Sequence, residues 1–230
     1  MRMGTLIHAA ILEPFRFAET MVLKPAFDMR TKAGKLGHES FHQDIAPGKI
    51  VVSQAELDTL TGILASVKAH KRLCRLLEVG KREVSLFWQD PINDVLCKSR
   101  MDFLSEQGIL VDIKSTTDAR YDAFSKSSVQ LNYALSAAHY LEGLRMTGLG
   151  NPDQFVMVAI EKDPPYCIAM YRLVPEELSR GHAWRHMLME QYAQCVKQDV
   201  WPGYSPKIQD LDAPAWAPKA LDVQNNPFDA

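Results

Sequence analysis

The sequence has no long apolar segment. Its longest uninterrupted apolar run, Phe155 to Ile160, is far shorter than the ~20 residues that a membrane-spanning helix needs. The first residues also lack the charged region and apolar stretch of a secretory signal peptide. We therefore expect a cytoplasmic protein with no membrane association.

Cysteine is scarce as well. The 230 residues contain four cysteines, which are far apart and form no CxxC pair. Paired thiols at that spacing are typical of iron–sulfur and zinc-ribbon sites, so neither kind of site is expected. A few isolated cysteines fit a reducing compartment, in which disulfides are rare.

The sequence carries little net charge. It has 26 Lys and Arg against 28 Asp and Glu, whereas a simple nucleic-acid-binding module is usually strongly basic. Any contact with nucleic acid must therefore lie in a local groove. One stretch between residues 68 and 82 is basic, with six cations and only Glu78 as an acid. It predicts either the solvated face of a helix or such a groove.

The residues that are present indicate one globular domain. Hydrophobic residues make up 47% and charged residues 23%, which is ordinary globular usage. We expect a single domain over 1–230, with an irregular, Pro-rich tail from about residue 201.

The hydrophobic pattern predicts the element order α, α, β, β, β, α, β, β, α, which is an α/β (α+β) fold with a central mixed sheet flanked by helices. A capping box at Ser53 and Glu56 starts a helix that runs to about Leu77. Residues 24–49 are expected to form a long loop or a weak helix. The other predicted elements are helices over 4–12 and 123–146, strands over 82–88, 95–104, 109–115, 155–160 and 167–173, and a last helix from Pro175 that buries Leu178, Leu188, Tyr192 and Val196.

Two acids and a lysine on neighbouring predicted strands could carry chemistry. Asp102 lies in the second strand, and Asp112 and Lys114 lie in the third. Two carboxylates on one side of adjacent strands can hold a hard divalent cation. Lys114, two residues after Asp112, shares its face and could neutralise charge that develops on a phosphate. The alternative is a salt bridge at the sheet edge, between Asp112 and Lys98 or Lys114.

Histidines offer other candidate metal sites. The pentad His38-Glu39-Ser40-Phe41-His42 matches HExxH, in which two histidines one helical turn apart bind zinc and the glutamate acts as a base. Glycines before the pentad and Pro47-Gly48 after it favour a polar surface turn instead. His182 and His186 are also one turn apart, but no acid or cysteine completes a metal set.

Taken together, five segments resemble the RecE-type phage and prophage exonucleases, a branch of the PD-(D/E)XK nuclease superfamily. Gly4 to Pro14 resembles the GTxxHxxxLEP opening of that family, although only Met1-Arg2-Met3 precede it here. The others are REVSLFW at 82–88, CKSRMD at 97–102, VDIKST at 111–116 and the Tyr-containing helix at 133–143.

The resemblance implies a set of site residues. His8, Asp102, Asp112 and the carbonyl of Ile113 would bind Mg²⁺ or Mn²⁺, and Lys114 would orient or activate the attacking water. Glu83 would hold water or a second metal. The family has a glutamine four residues before a tyrosine, and Gln130 is the substitute that we expect. The residues expected to contact DNA are Arg72, Arg75, Arg82, Arg100, Ser115 and Thr116.

The implied activity is metal-dependent 5′→3′ degradation of double-stranded DNA from its ends, which exposes 3′ single strands for annealing-type recombination. The implied partners are DNA ends, a single-strand annealing protein, and further copies in a trimeric or tetrameric ring. A ring needs a basic surface only in its channel, which would explain the low net charge. The alternatives are an endonuclease or nickase on the same fold, a non-catalytic DNA-binding protein, and a zinc metalloprotease that uses HExxH.

Overall fold

The structure is a computed structural model that describes residues 2–212. The chain divides into two compact units, one up to Ala193 and one from Gln194. The first unit contains every strand of the described residues. From 201 to 212 the second unit has no helix or strand, and the rest of the predicted Pro-rich tail lies outside the described residues. No helix within 2–212 is long and apolar enough to cross a membrane.

A five-stranded mixed sheet forms the centre of the first unit, in the order β3-β4-β5-β6-β7. The β5–β6 pair is parallel and the other neighbours are antiparallel, which confirms the predicted mixed sheet. A separate two-stranded parallel sheet joins β1 to β2. The strands are β1 (Met21–Leu23), β2 (Ile50–Val52), β3 (Gly80–Gln89), β4 (Leu96–Ser105), β5 (Ile109–Thr116), β6 (Gln154–Glu161) and β7 (Ile168–Arg172).

Helices cover both faces of the large sheet. They are α1 (Arg2–Leu12), α2 (Pro14–Thr20), α3 (Lys32–Asp44), α4 (Gln54–Ala69), α5 (Lys71–Leu76), α6 (Tyr121–Gln130), α7 (Tyr133–Met146) and α8 (Pro175–Gln198). Side chains alternate along β5, so Val111 and Ile113 join a core with α1, α4 and α5, whereas Leu110 joins the core on the α7 side. The predicted fold class is confirmed.

Two predicted long helices are each broken in two. The helix that begins at the Ser53 capping box ends at Ala69, because the ring nitrogen Nδ1 of His70 accepts the N–H of Leu73 and starts α5. The predicted helix over 123–146 is α6 followed by α7, with Asn132 between them at φ +53°. Asparagine tolerates this left-handed conformation better than most residues.

The segment predicted as a long loop or weak helix contains α3. It begins at Thr31, whose Oγ1 accepts the N–H of Gly34, and none of its side chains is buried. The HExxH pentad therefore lies on a helix, and the expectation of a surface turn there is wrong. The local cap stabilises this helix, and the ring of Phe27 packs against His38 and Phe41 on one side of it.

The predicted buried side of α8 is largely wrong. Leu178 is partly buried, but Leu188, Tyr192 and Val196 are 41%, 47% and 52% exposed. Gly181 packs against the main chain of Ala134, where a Cβ would lie 2.1 Å from the carbonyl oxygen. Close contact at that glycine brings the first half of α8 onto α7, and the periodic apolar residues further along stay exposed.

A buried ion pair fixes α8 to the end of β3. The Nη2 of Arg185 lies 2.7 Å from the Oδ2 of Asp90, and both side chains are largely buried. The other oxygen of Asp90 accepts the N–H groups of Ile92 and Asn93 in the β3–β4 turn. One carboxylate therefore shapes the turn and holds the helix.

Replacing Arg185 with methionine leaves that carboxylate without its cation. We expect Arg185→Met to lower the free energy of unfolding by about 3 kcal/mol, the low end for a broken buried pair, because Asp90 keeps its main-chain partners. The matched control is Arg180→Met, since Arg180 forms a half-exposed pair with Glu177 on the same helix. That change should cost less than about 1 kcal/mol. Equal losses in urea unfolding would contradict the assigned role of Arg185.

Candidate metal centre

The candidate site lies where pairing within the sheet is interrupted. β3 and β4 pair along their length except at Glu83 and Asp102, and Glu83 has φ +50°. This conformation is uncommon for a residue with a side chain and costs about 1–3 kcal/mol. The strands therefore distort at the position of the two acids.

The second interruption separates β4 from β5. Their register stops at Phe103 and Val111, and the next main-chain N–H, that of Ile113, donates to Oδ2 of Asp102 at 2.7 Å. A side-chain oxygen thus takes the place of a ladder carbonyl. The other carboxylate oxygen of Asp102 is left to face the gap between the strands.

Helix α1 brings a histidine to this gap. The buried residues Leu6, Ile7 and Ala10 hold α1 on the sheet. His8 then lies with Nε2 2.7 Å from the carbonyl oxygen of Ile113 and Nδ1 3.3 Å from Oδ1 of Asp102. Each ring nitrogen faces an oxygen.

Three side chains form a group that could hold a metal ion. One ligand atom each from His8, Glu83 and Asp102 lies within 4.8 Å of the other two. Carboxylate oxygens suit Mg²⁺ or Mn²⁺, and an imidazole nitrogen suits transition-metal ions, so these residues together fit a divalent ion. Within residues 2–212 this is the only such group of three.

Asp112 and Lys114 lie beside the group and contact each other. The Nζ of Lys114 is 2.5 Å from Oδ2 of Asp112, as their shared strand face predicts. Of the two partners considered for Asp112, the structure selects Lys114. The ammonium also lies 5.0 Å from the centre of the Tyr133 ring, on α7.

Charge and burial shift the pKa values of these groups. Burial raises the pKa of Asp112 to about 6, with the negative charge of Asp102 adding to the effect and Lys114 opposing it. Burial lowers the pKa of His8, but the hydrogen bond and charge of Asp102 outweigh it, and the net pKa is raised. Burial also raises the pKa of Glu83, against the charge of Arg100. Protons therefore compete with a metal ion for this site.

Arg100 is tied to the site itself. Its Nε lies 2.5 Å from Glu83, and Nη2 lies 3.6 Å from Glu13, the glutamate that precedes Pro14. This arginine, expected to contact DNA, neutralises a candidate ligand. Half of its side chain remains exposed.

The other predicted residues lie outside the group of three. Gln130 is exposed at the end of α6, and among the described residues it has no bond to the group. Ser115 and Thr116 end β5, and Thr116 donates to the carbonyl of Asp118. The guanidinium of Arg82 donates to main-chain carbonyls after α5. Arg72 and Arg75 line a separate cavity.

Tyr140, on α7, lies near the site, and the sequence pattern does not reveal it. Burial raises the pKa of Tyr140, as do the nearby charges of Asp112 and Asp102, whereas the charge of Lys114 opposes the shift. Only the similarity of 133–143 to a Tyr-containing family helix could have indicated it, because a tyrosine at helical spacing usually belongs to a core.

The HExxH pentad does not form a metal site among the described residues. The rings of His38 and His42 are 4.5 Å apart on α3, as the spacing predicts. However, Nζ of Lys24 lies 3.0 Å from Nε2 of His38, and no third acid, histidine or cysteine of residues 2–212 joins them. A cation in that position opposes zinc, so the metalloprotease alternative has no support.

The distorted sheet, its acids and the lysine of β5 define a centre of the PD-(D/E)XK type. The chain belongs to the family described as "PDDEXK-like domain of unknown function (DUF3799)", whose model matches residues 1–214. The predicted superfamily is thereby confirmed, whereas the RecE-type branch stays a prediction.

A solved structure shares the fold. A crystal structure described as a "Putative exonuclease", from Eubacterium rectale, is 15% identical, with a TM-score of 0.57 over 97% of this chain and 79% of that one. The structure of SSO0001 is 14% identical over 83% of this chain and 94% of its own, but its TM-score of 0.32 is too low to support an argument. Among curated protein sequences, none matches this chain.

The proton competition can be measured through stability. A bound ion stabilises the folded state by about 2.7 kcal/mol at a hundred times its Kd. Because protonated His8 and Asp112 cannot act as ligands, we expect the rise in Tm caused by Mn²⁺ to be larger well above pH 6 than well below it. Thermal unfolding with and without Mn²⁺ measures this.

The variants His8→Ala and Asp102→Asn should lose that rise in Tm. His38→Ala is the matched control, since it removes a histidine from a helix outside the group, and it should keep the rise. If His38→Ala loses the rise in Tm and His8→Ala keeps it, the metal binds at the histidines of α3 and the assigned group is refuted.

Proposed function

We propose that this protein is a metal-dependent nuclease that degrades double-stranded DNA from its 5′ ends and exposes 3′ single strands. The observation that carries the proposal is the lysine of β5, paired with Asp112 and next to the group of His8, Glu83 and Asp102. A divalent-ion site alone fits many proteins. The ammonium of Lys114, held beside the site by Asp112 on the same strand, adds the positive charge that phosphodiester hydrolysis requires.

Each side chain has a distinct role in this proposal. His8, Asp102 and Asp112, with the Ile113 carbonyl, hold Mg²⁺ or Mn²⁺, and Glu83 holds a water molecule or a second ion. A divalent ion supplies Lewis-acid stabilisation of the phosphate and makes water more acidic. Lys114 orients the attacking water and stabilises the negative charge that grows on the phosphate oxygens.

The approach to the site supports a phosphate substrate. Arg100 keeps about half of its surface exposed while its Nε holds Glu83, so it can contact a phosphate without leaving the site. Ser115 and Thr116 extend β5 beyond Lys114 and are partly exposed. These residues form the near part of the proposed DNA contact.

The direction and end dependence come from the RecE-type resemblance, and the description of the Eubacterium rectale protein as an exonuclease supports the end dependence. The same resemblance supports a ring of three or four copies around DNA and cooperation with a single-strand annealing protein. A basic channel in a ring agrees with a chain whose net charge is −2.

One assay tests the activity. End-labelled linear duplex and a closed circle of the same DNA are incubated with the protein, with and without Mg²⁺. We expect loss of the linear duplex only with Mg²⁺, an intact circle, and no cleavage by Asp102→Asn. Label on the 5′ end should be released before label on the 3′ end. Cleavage of the circle would show that the protein is an endonuclease or nickase and not an exonuclease. Cleavage by Asp102→Asn would refute the assigned site.

Replacing Lys114 distinguishes an effect on catalysis from an effect on metal binding. Lys114→Ala should reduce single-turnover cleavage by at least about a hundredfold, because its charge acts mainly in the transition state. Removing a cation from the site should leave Mn²⁺ affinity equal or slightly stronger. Calorimetric titration and single-turnover cleavage are measured on the same preparation.

The matched control is Lys126→Ala, an exposed lysine on α6, which should leave both quantities unchanged. If Lys114 served only to pair with Asp112, the variant would lose thermal stability and keep its rate. That result would remove Lys114 from the mechanism.

A further inference from the structure

Three arginines in the described residues have no acidic or carbonyl partner. Every other arginine within 2–212 donates to a carboxylate or to a main-chain carbonyl. Arg72, Arg75 and Arg172 form no such bond. Their guanidinium groups are left with their donors available.

All three line the same cavity, which has a volume of about 760 Å³. Arg72 and Arg75 are three residues apart on α5 and therefore project to the same side of that helix. Arg172 ends β7 and pairs in register with Val156 of β6. The unpaired charges thus come from α5 and from β7 and meet at the same cavity.

The rest of the lining suits a nucleotide. Leu76, Ile109, Val156 and Met170 supply apolar surface, and the side chains of Gln107 and Gln154 supply amide donors and acceptors. No carboxylate lines the cavity among the described residues. Its size falls within the ~300–1,000 Å³ of small-molecule sites.

The cavity is separate from the metal centre. It meets β5 at Ile109, whereas Asp112 and Lys114 lie three and five residues further along. At the rise of a β-strand, Lys114 is roughly 16 Å away, and Ile109 faces the opposite side of the sheet from Asp112. A ligand in the cavity would therefore bind without touching the metal ligands.

We propose that this cavity binds the phosphate and base of a deoxynucleotide, remote from the site of cleavage. Arginine forms paired hydrogen bonds with phosphate oxygens, and three guanidinium groups with no protein acceptor are matched to them. The apolar surface accepts the face of the base, and the glutamines reach its edge. The nucleotide is either one unit of a DNA single strand or a free monophosphate. The choice of a nucleotide over other phosphates rests on the proposed function.

Binding is measured without metal, so that no cleavage occurs. Fluorescence anisotropy follows a labelled oligothymidylate in EDTA, with thymidine 5′-monophosphate and thymidine as competitors. We expect the combined variant Arg72→Gln, Arg75→Gln, Arg172→Gln to weaken oligonucleotide binding by at least about tenfold. Its salt dependence, as log K against log salt, should become shallower by about 0.7 for each phosphate that the variant no longer neutralises.

The control is Arg145→Gln, which removes an exposed arginine that pairs with Glu142 on α7. It should bind as the wild type does. Competition by the monophosphate but not by thymidine would identify the phosphate as the recognised group. If only unlabelled oligothymidylate competes with the labelled oligonucleotide, the cavity binds a DNA strand and not the free monophosphate. All variants should have unchanged thermal unfolding, because the arginines are exposed.

Wild-type affinity and salt slope in the triple variant would overturn the proposal, and so would an equal loss in Arg145→Gln. Asp102→Asn separates the two hypotheses, since it should abolish cleavage and leave this binding intact. A chain that binds the oligonucleotide through the arginines but cuts no DNA would refute the nuclease and keep the cavity. If the wild-type protein cuts DNA but the triple variant binds the oligonucleotide with wild-type affinity, the nuclease is kept and the cavity proposal is refuted.

Discussion

The hydrogen bond from the Ile113 N–H to Asp102 is the interaction on which the site depends. By replacing a main-chain acceptor with a carboxylate, it ends the pairing of β4 with β5 without leaving a buried donor unsatisfied. The Ile113 carbonyl is then available to His8, and the second oxygen of Asp102 faces the same ring. Glu83, in its left-handed backbone conformation, brings a third ligand atom within 4.8 Å of those of His8 and Asp102.

Each of the three carboxylates of the site lies beside a basic side chain: Asp102 beside His8, Glu83 beside Arg100, and Asp112 beside Lys114. This pairing explains how acids that repel one another can remain largely buried in the folded chain. Of the three basic groups, the imidazole of His8 is the one that can bind a metal ion in its neutral form, so His8 can be a partner of Asp102 or a metal ligand.

Much of this could be predicted from the sequence. The order along the chain of the five strands in the large sheet, the shared face of Asp112 and Lys114 and the Ser53 capping box follow from local periodicity and spacing, whereas the short strands β1 and β2 were not predicted. The breaks at His70 and Asn132 and the exposure of Leu188 do not, because they depend on a single hydrogen bond, one backbone conformation and the close contact at Gly181. The family resemblance implied that Glu83 and His8 share a site, but residue identity alone does not reveal the positive φ of Glu83 or the distortion of its strand.

The contact between His8 and Ile113 joins residues 105 positions apart in the chain, whereas Asp102 and Ile113 are only 11 apart. Closing the longer loop costs more chain entropy, so the β4–β5 hairpin can form its carboxylate bond before α1 docks. The acids of the hairpin can therefore be in place before the imidazole reaches them. A chain emerging from the ribosome presents His8 before Asp102 and Asp112, and the centre is complete only when α1 has folded back onto the sheet.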